Sequence, residues 1–269
     1  MSSVFYHLDL IQEVLNQSPF GLITDVDGTI SPTAPTPQQA NISPLCHRYL
    51  SKLSHQLALV AAVSGRAASE VNRMINIDGM IYIGNHGLER WSEDQADFHK
   101  DVREYDKVIE IALRELAPLL SIEGIIIENK GVTATIHYRL CRNPELAEAQ
   151  ILKVVAASSQ VGNLKIIRDR MAIDLLPPLE TNKGTATRDL IREYHLRAAI
   201  YLGDALTDID AFKAIHNASH DTEFKGFAIG ITSTEMPAEL LAEADFTLDG
   251  VGDVEIFLRW MSRHSLQSG

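Results

Sequence analysis

Gly21-Leu22-Ile23-Thr24-Asp25-Val26-Asp27-Gly28-Thr29-Ile30 is the stretch whose reading decides the fold. An apolar run over 20–24 reads as a buried strand, which then breaks into two carboxylates at alternate positions, a glycine and a threonine. Such a strand sets acids, and a backbone able to wrap an anion, at the carboxyl end of a sheet, where open α/β sheets keep their sites. Asp and Gly are also ordinary turn residues. A specified Asp-x-Asp-Gly-Thr nevertheless arises by chance only on the order of once in 10⁵ positions.

Outward from this stretch the chain alternates strands and helices. A short helix is expected over 6–16, and Pro32, Pro35 and Pro37 make 31–37 a loop that no helix or central strand absorbs. Ser43 caps the next helix, with Pro44 at its first position and Leu45, Tyr49, Leu53 and Leu57 at four-residue spacing. A second apolar strand over 57–63 ends in Ser64-Gly65-Arg66. After a helix over 67–75, a third strand over 80–84 ends in Asn85-His86-Gly87-Leu88-Glu89. Continuous apolar strands between helices predict a parallel sheet covered on both faces, with these polar ends along one edge.

The pattern changes after residue 98. A long helix over 102–120 precedes strands over 125–129 and 132–140 joined by a Lys130-Gly131 turn; a helix over 144–159 precedes strands over 164–168 and 172–176. That order belongs to a small α+β unit with an antiparallel sheet. Residues 99–176 are therefore expected to form an inserted domain, and 1–98 with 177–269 the core. In the returning segment a helix starts near Lys183, and a strand over 199–203 ends in Asp204 with Asp208 close behind. Strands over 226–231 and 245–248 and a helix over 254–263 finish the chain.

Bulk properties restrict the partners. An apolar fraction of 45% and a charged fraction of 22% are those of an ordinary globular protein. A net charge of −12 argues against nucleic acid or an anionic membrane, both of which reward excess Lys and Arg. Cys46 and Cys141 lack metal-ligand spacing and imply no disulfide. No run approaches the roughly eighteen apolar residues of a membrane span, and the N-terminus carries no signal-peptide pattern. A cytoplasmic monomer is the expectation.

Asp25, Asp27, Ser64, Lys183, Asp204 and Asp208 thus gather at strand ends or a helix start. Acids placed together raise one another's pKa unless a cation holds them. A donor set of oxygens without His or Cys favours a hard ion, and beside phosphate that ion is Mg²⁺. A lysine and a hydroxyl suit a tetrahedral anion, and a carboxylate can serve as nucleophile in phosphoryl transfer.

In this order, Asp25-x-Asp27-Gly28-Thr29, Ser64, Lys183 and Gly203-Asp204-x-x-Thr207-Asp208 resemble the four motifs of the haloacid dehalogenase superfamily of phosphohydrolases. The resemblance implies a Rossmann-like α/β core with an inserted α+β cap between the second and third motifs. Asp25 to Pro32, Val63 to Arg66, Gly84 to Glu89, and the pair Glu128-Asn129-Lys130 and His137-Tyr138-Arg139 are similar to stretches of the trehalose-6-phosphate phosphatase family. By that resemblance Asp25 is the nucleophile, Asp27 the acid and base, and Ser64 and Lys183 the phosphoryl clamp. Asp25, Asp27 (through its carbonyl), Asp204 and Asp208 form the Mg²⁺ set. Arg66, Asn85, His86, Glu89, Glu128, Lys130, His137, Arg139 and Asp174 are the residues expected to bind a small sugar phosphate, with the cap closing over it. Ala205, Ile209 and Asp174 depart from the family pattern, Asp174 standing where Glu is usual. That leaves sucrose phosphate or a glucosylated polyol phosphate as alternative substrates. A catalytically silent sensor need not keep both Asp25 and Asp27, and no G-x-x-x-x-G-K-[ST] loop supports a kinase.

Overall fold

The computed structural model describes residues 2–92, 95–99, 101–221, 223–234 and 237–265. They divide into two compact units, one of Met1–Ala34, Gln39–Asp97 and Thr181–Gly269 and the other of Pro35–Gln38 and Phe98–Glu180.

In the first unit the chain runs α1 (Leu8–Leu15), β1 (Phe20–Thr24), α2 (Pro44–Ser54), β2 (Leu59–Val63), α3 (Ala68–Ile75), β3 (Ile81–Gly84), β4 (Glu89–Ser92) and β5 (Gln95–Phe98). The second unit holds α4 (Tyr105–Leu119), β6 (Ile126–Asn129), β7 (Ala134–His137), α5 (Pro144–Ala157), β8 (Lys165–Asp169) and β9 (Ala172–Leu176). Back in the first come α6 (Lys183–Glu193), β10 (Ala198–Gly203), α7 (Asp208–Asp221), β11 (Lys225–Thr232), α8 (Ala238–Glu243), β12 (Phe246–Asp249) and α9 (Gly250–His264).

The large sheet has the order β12-β11-β10-β1-β2-β3-β4-β5 and is parallel from β12 to β3. Strand order reverses between β1 and β10, which is the topological switch point of this class of sheet. Every residue of β1, β2 and β10 is buried, because helices cover both faces. Alternation assigns the sides: Leu22, Ile200 and Leu202 enter one core, and Ile23, Ala199 and Tyr201 the other. Each fully buried Leu or Ile contributes about 1.5–3 kcal/mol of burial.

The strands β4 and β5 were not expected. They extend the sheet beyond β3, with β4 antiparallel to it. The half-exposed Gln95–Phe98 offers too little apolar density to stand out in sequence. The short helix α8 was likewise unanticipated, α2 stops at Ser54, and α9 begins four residues ahead of the expected 254.

The second unit is a four-stranded sheet of order β6-β7-β9-β8 with antiparallel pairing. Ile109, Ala112 and Leu116 of α4 and Ala147, Ile151 and Val155 of α5 pack with Ala134, Ile136, Ile173 and Leu175 in one core. The pairing Asn129↔Ala134 leaves a four-residue loop, 130–133, where a two-residue turn was expected. Thr135, His137 and Asp174 alternate with the core residues and so lie on the opposite sheet face.

Cys46 and Cys141 are both buried free thiols. Among the described residues no helix is long and apolar enough to cross a membrane.

Candidate active site

Strand β1 delivers Asp25 beside the end of β10, where its amide donates to the Leu202 carbonyl at 2.8 Å. The nearby Lys183 begins α6. Asn182 caps that helix by accepting from the Thr185 amide at 2.9 Å, while the Thr185 hydroxyl accepts from the Asn182 amide at 3.0 Å, a reciprocal capping box. This fixed start aims the buried lysine at two carboxylates: Nζ lies 2.9 Å from Asp25 Oδ1 and 2.9 Å from Asp208 Oδ1.

Asp208 opens α7 and is saturated with donors. Oδ1 accepts from Lys183 at 2.9 Å and from the Tyr201 hydroxyl at 2.8 Å. Oδ2 accepts from the Asp204 and Ala205 amides at 3.0 and 2.9 Å. These bonds match the approximately four lone-pair directions of a carboxylate. Gly203 makes room for it, since a Cβ there would sit 2.5 Å from Asp208 Cγ. Asp208 thus orients the lysine and the 203–205 backbone.

Asp25, Asp204 and Asp208 are buried, and each offers an oxygen within 4.8 Å of the others. Three acids face one buried ammonium. Burial, with Asp208 and Asp204 adding, pushes the Asp25 carboxyl well above the ordinary carboxylate range, and Lys183 only partly opposes this. Burial also works against the lysine's charge, yet Asp208 and Asp25 hold its pKa above the usual value. An all-oxygen, under-neutralised set of this kind fits a hard divalent cation, whose charge would reverse the rise at Asp25.

Asp27 behaves differently. Its carboxylate lies outside that acidic cluster and receives both arms of the Arg66 guanidinium, Nε to Oδ2 at 2.6 Å and an Nη to Oδ1 at 2.9 Å. The Asp27 carboxylate is thus committed to Arg66, which leaves the backbone carbonyl as the atom of Asp27 expected in the metal set. Arg66, expected at the substrate, is engaged with Asp27 and, at 2.7 Å, with Glu70.

The buried Ser64 accepts from the Arg66 amide at 3.2 Å. The loop after β3 laces onto this turn, with the His86 amide donating to the Ser64 carbonyl at 2.9 Å and the Asn85 amide to the Arg66 carbonyl at 2.7 Å. Asn85 and His86 are left-handed, with φ of 47° and 60°, and both are buried. Such strain collects at functional sites. Glu89 accepts from the Ala68 amide and caps α3. Asn85, His86 and Glu89, all expected to contact substrate, are seen to shape the Ser64 loop.

Within the second unit, His137 Nε2 lies 2.8 Å from Glu128 Oε2 and Lys130 Nζ 4.0 Å from the same oxygen. The Thr135 hydroxyl donates to Asp174 Oδ1, directly across the β7–β9 pair. Arg139 is half-buried just past β7. These five expected residues lie on or beside one sheet, with Glu128, Lys130 and His137 in direct association.

Sequence reasoning missed Tyr201 and Glu70. The available signals were a hydroxyl in an otherwise apolar strand, since buried tyrosines find partners, and the four-residue spacing from Arg66 to Glu70.

The sequence profile of the trehalose-phosphatase family matches residues 23–250. A trehalose 6-phosphate phosphatase of Zea mays is 27% identical over 257 residues, which cover 88% of this chain and 68% of that protein. The trehalose-phosphate phosphatase of Mycobacterium leprae is 29% identical over 267 residues, covering 95% and 60%. That of Mycobacterium marinum is 34% identical over 200 residues, covering 71% and 50%. The matched regions thus span between 50% and 68% of these relatives. Among solved structures, the C-terminal domain of Candida albicans trehalose-6-phosphate phosphatase has a TM-score of 0.77 at 19% identity, covering 95% of this chain and 96% of that one. A trehalose-6-phosphate phosphatase related protein has a TM-score of 0.73 at 22% identity, covering 93% and 100%. Both share the fold.

Proposed function

Because this chain belongs to the trehalose-phosphatase family, we propose that it is a Mg²⁺-dependent phosphatase that hydrolyses trehalose 6-phosphate to trehalose and phosphate. The observation that carries this reading is the buried lysine bridging Asp25 and Asp208 beside Asp204, at the carboxyl ends of β1 and β10.

Asp25 attacks phosphorus as the bond to the sugar oxygen breaks, giving an aspartyl-phosphate. Asp27 delivers a proton to the departing oxygen. It then takes one from the water that attacks the phosphorus and frees Asp25. Ser64 and Lys183 hold the phosphoryl oxygens, where a preorganised, water-poor site makes each contact count. Asp208 keeps Lys183 in place through the 2.9 Å contact. Asp25, Asp204 and the Asp27 carbonyl would hold Mg²⁺, which when bound supplies the positive charge these carboxylates lack. Glu128, Lys130 and Arg139 read sugar hydroxyls or phosphate.

The test is kcat/KM across phosphorylated mono- and disaccharides, sucrose phosphate and a glucosylated polyol phosphate included. A clear preference for trehalose 6-phosphate is expected, abolished by EDTA and restored by Mg²⁺. A flat profile would sink the substrate assignment. Asp25→Asn is expected to lower kcat by ~10⁴-fold or more; near wild-type turnover would remove it as nucleophile.

A further inference from the structure

We propose that Arg66, braced by Glu70, is the positioning residue that holds the Asp27 carboxylate for proton transfer, and that it does not bind substrate. This rests on the phosphatase reading above and deepens it. Two carboxylates two residues apart have been given different cations. Asp25 has the point charge of Lys183 and a side chain 5% exposed; Asp27 has the planar fork of Arg66 and is 42% exposed. A lysine neutralises from any direction, whereas a guanidinium bonded to both oxygens fixes the plane of the carboxylate. A nucleophile in a closed site needs the first. A group that must offer a proton to one atom and later accept one from another needs the second.

All three nitrogens of the guanidinium are engaged, through three of its five N–H groups. Its Nε and one Nη serve Asp27 and the other Nη serves Glu70 at 2.7 Å, with the arginine side chain only 9% exposed. Glu70 stands in the first turn of α3, so the brace is built into a rigid element. The backbone ties the same residue to the site's other loop, because the Arg66 carbonyl accepts from the Asn85 amide at 2.7 Å. Gly84 permits this approach: a Cβ there would lie 2.7 Å from the Arg66 carbonyl oxygen and 2.1 Å from the Ala68 nitrogen. One oxygen lone pair on each side of Asp27 is used by the fork, and the exposed side retains the others for the proton. That proton goes to the sugar oxygen as its bond to phosphorus breaks. It is replaced when water attacks the aspartyl-phosphate.

The experiment compares two leaving groups in Arg66→Lys and Glu70→Gln. A sugar alcohol must be protonated as it departs, whereas p-nitrophenolate leaves as the anion. With trehalose 6-phosphate, Arg66→Lys is expected to lower kcat about 10–100-fold while KM moves less than about threefold, as for a displaced acid–base group. In a single turnover with enzyme in excess, release of p-nitrophenolate from p-nitrophenyl phosphate should stay within about threefold of the unmodified protein, since that step needs no proton. Glu70→Gln, which keeps an acceptor for Arg66 but loses its charge, should show the same split at about three- to tenfold. A rise in KM for the sugar ester with kcat retained would make Arg66 a substrate ligand and overturn the proposal. An equal fall in the single-turnover rate would also overturn it, placing the defect in the Ser64 loop. If the unmodified protein releases phosphate from neither ester, the phosphatase reading itself fails and this inference goes with it.

Discussion

At the scale of single residues, partners decide roles. Asp25 and Asp208 share Lys183, and Tyr201 completes the set by donating to Asp208 at 2.8 Å. Burial, reinforced by Asp208, holds the Tyr201 hydroxyl well above its ordinary pKa, so it remains a donor. Tyr201→Phe is expected to cost about 1–3 kcal/mol by urea denaturation, the loss of a hydrogen bond to a buried charge. It should also lower kcat by loosening Lys183; unchanged stability and kcat would show that this hydroxyl contributes nothing. Gly203→Ala is expected to be worse, because its methyl would fall 2.5 Å from Asp208 Cγ. Overpacking there should cost at least about 1–3 kcal/mol and take the activity with it. A fully active, equally stable variant would contradict the close approach. Gly203 and the acids after it were legible in sequence as one motif, but the close approach of Asp208 that requires a glycine there was not.

At the scale of elements, caps explain where the site-bearing segments begin. Ser43 starts α2, accepting from the Leu45 and Cys46 amides at 3.2 and 3.4 Å and donating to Glu255 of α9. Ser43→Ala removes the cap and the tie between helices, and should cost about 1–2 kcal/mol in a denaturant melt. Ser43→Asp, which caps but sets a like charge beside Glu255, should recover little of it. Full recovery would assign the effect to the helix end alone. This cap was readable because Ser-Pro before an apolar repeat is a local signal. The β4 and β5 strands were not, since the pairing of β4 with β3 and of β5 with β4 is a relation between segments, and Gln95–Phe98 is half-exposed. Arg66, Asn85, His86 and Glu89 fall between these cases. Their clustering at strand ends was legible, but their bonding to one another needed the loops to meet.

At the scale of the whole molecule, stability carries a pH signature through the far edge of the large sheet. His216 on α7 lies 3.1 Å from Asp245, which also accepts from the Ala228 amide at 2.8 Å. The Asp245 hydrogen bond, against some burial, raises the imidazole above its ordinary 6.5. A raised folded-state pKa stabilises fully below the unfolded value and is lost as pH rises through the folded one. His216→Gln should therefore cost ~0.5–1 kcal/mol at about pH 5.5 and progressively less by about pH 9. A cost independent of pH would mean that the charge plays no part. Sequence alone determined the chemistry available: continuous apolar strands, carboxylates at their ends, a lysine near a helix start, and an inserted α+β stretch. Those are local patterns, set by backbone geometry and burial within a few residues. Only the tertiary structure decided that Asp25 is neutralised by Lys183, that Asp27 is gripped by Arg66, and that Asp208 is spent on orientation. Those pairings join residues 158, 39 and 25 positions apart, the first from Asp25 to Lys183, the others from Asp27 to Arg66 and Lys183 to Asp208. A hydrogen bond acts over about 3 Å, and only the folded sheet brings such groups within that reach.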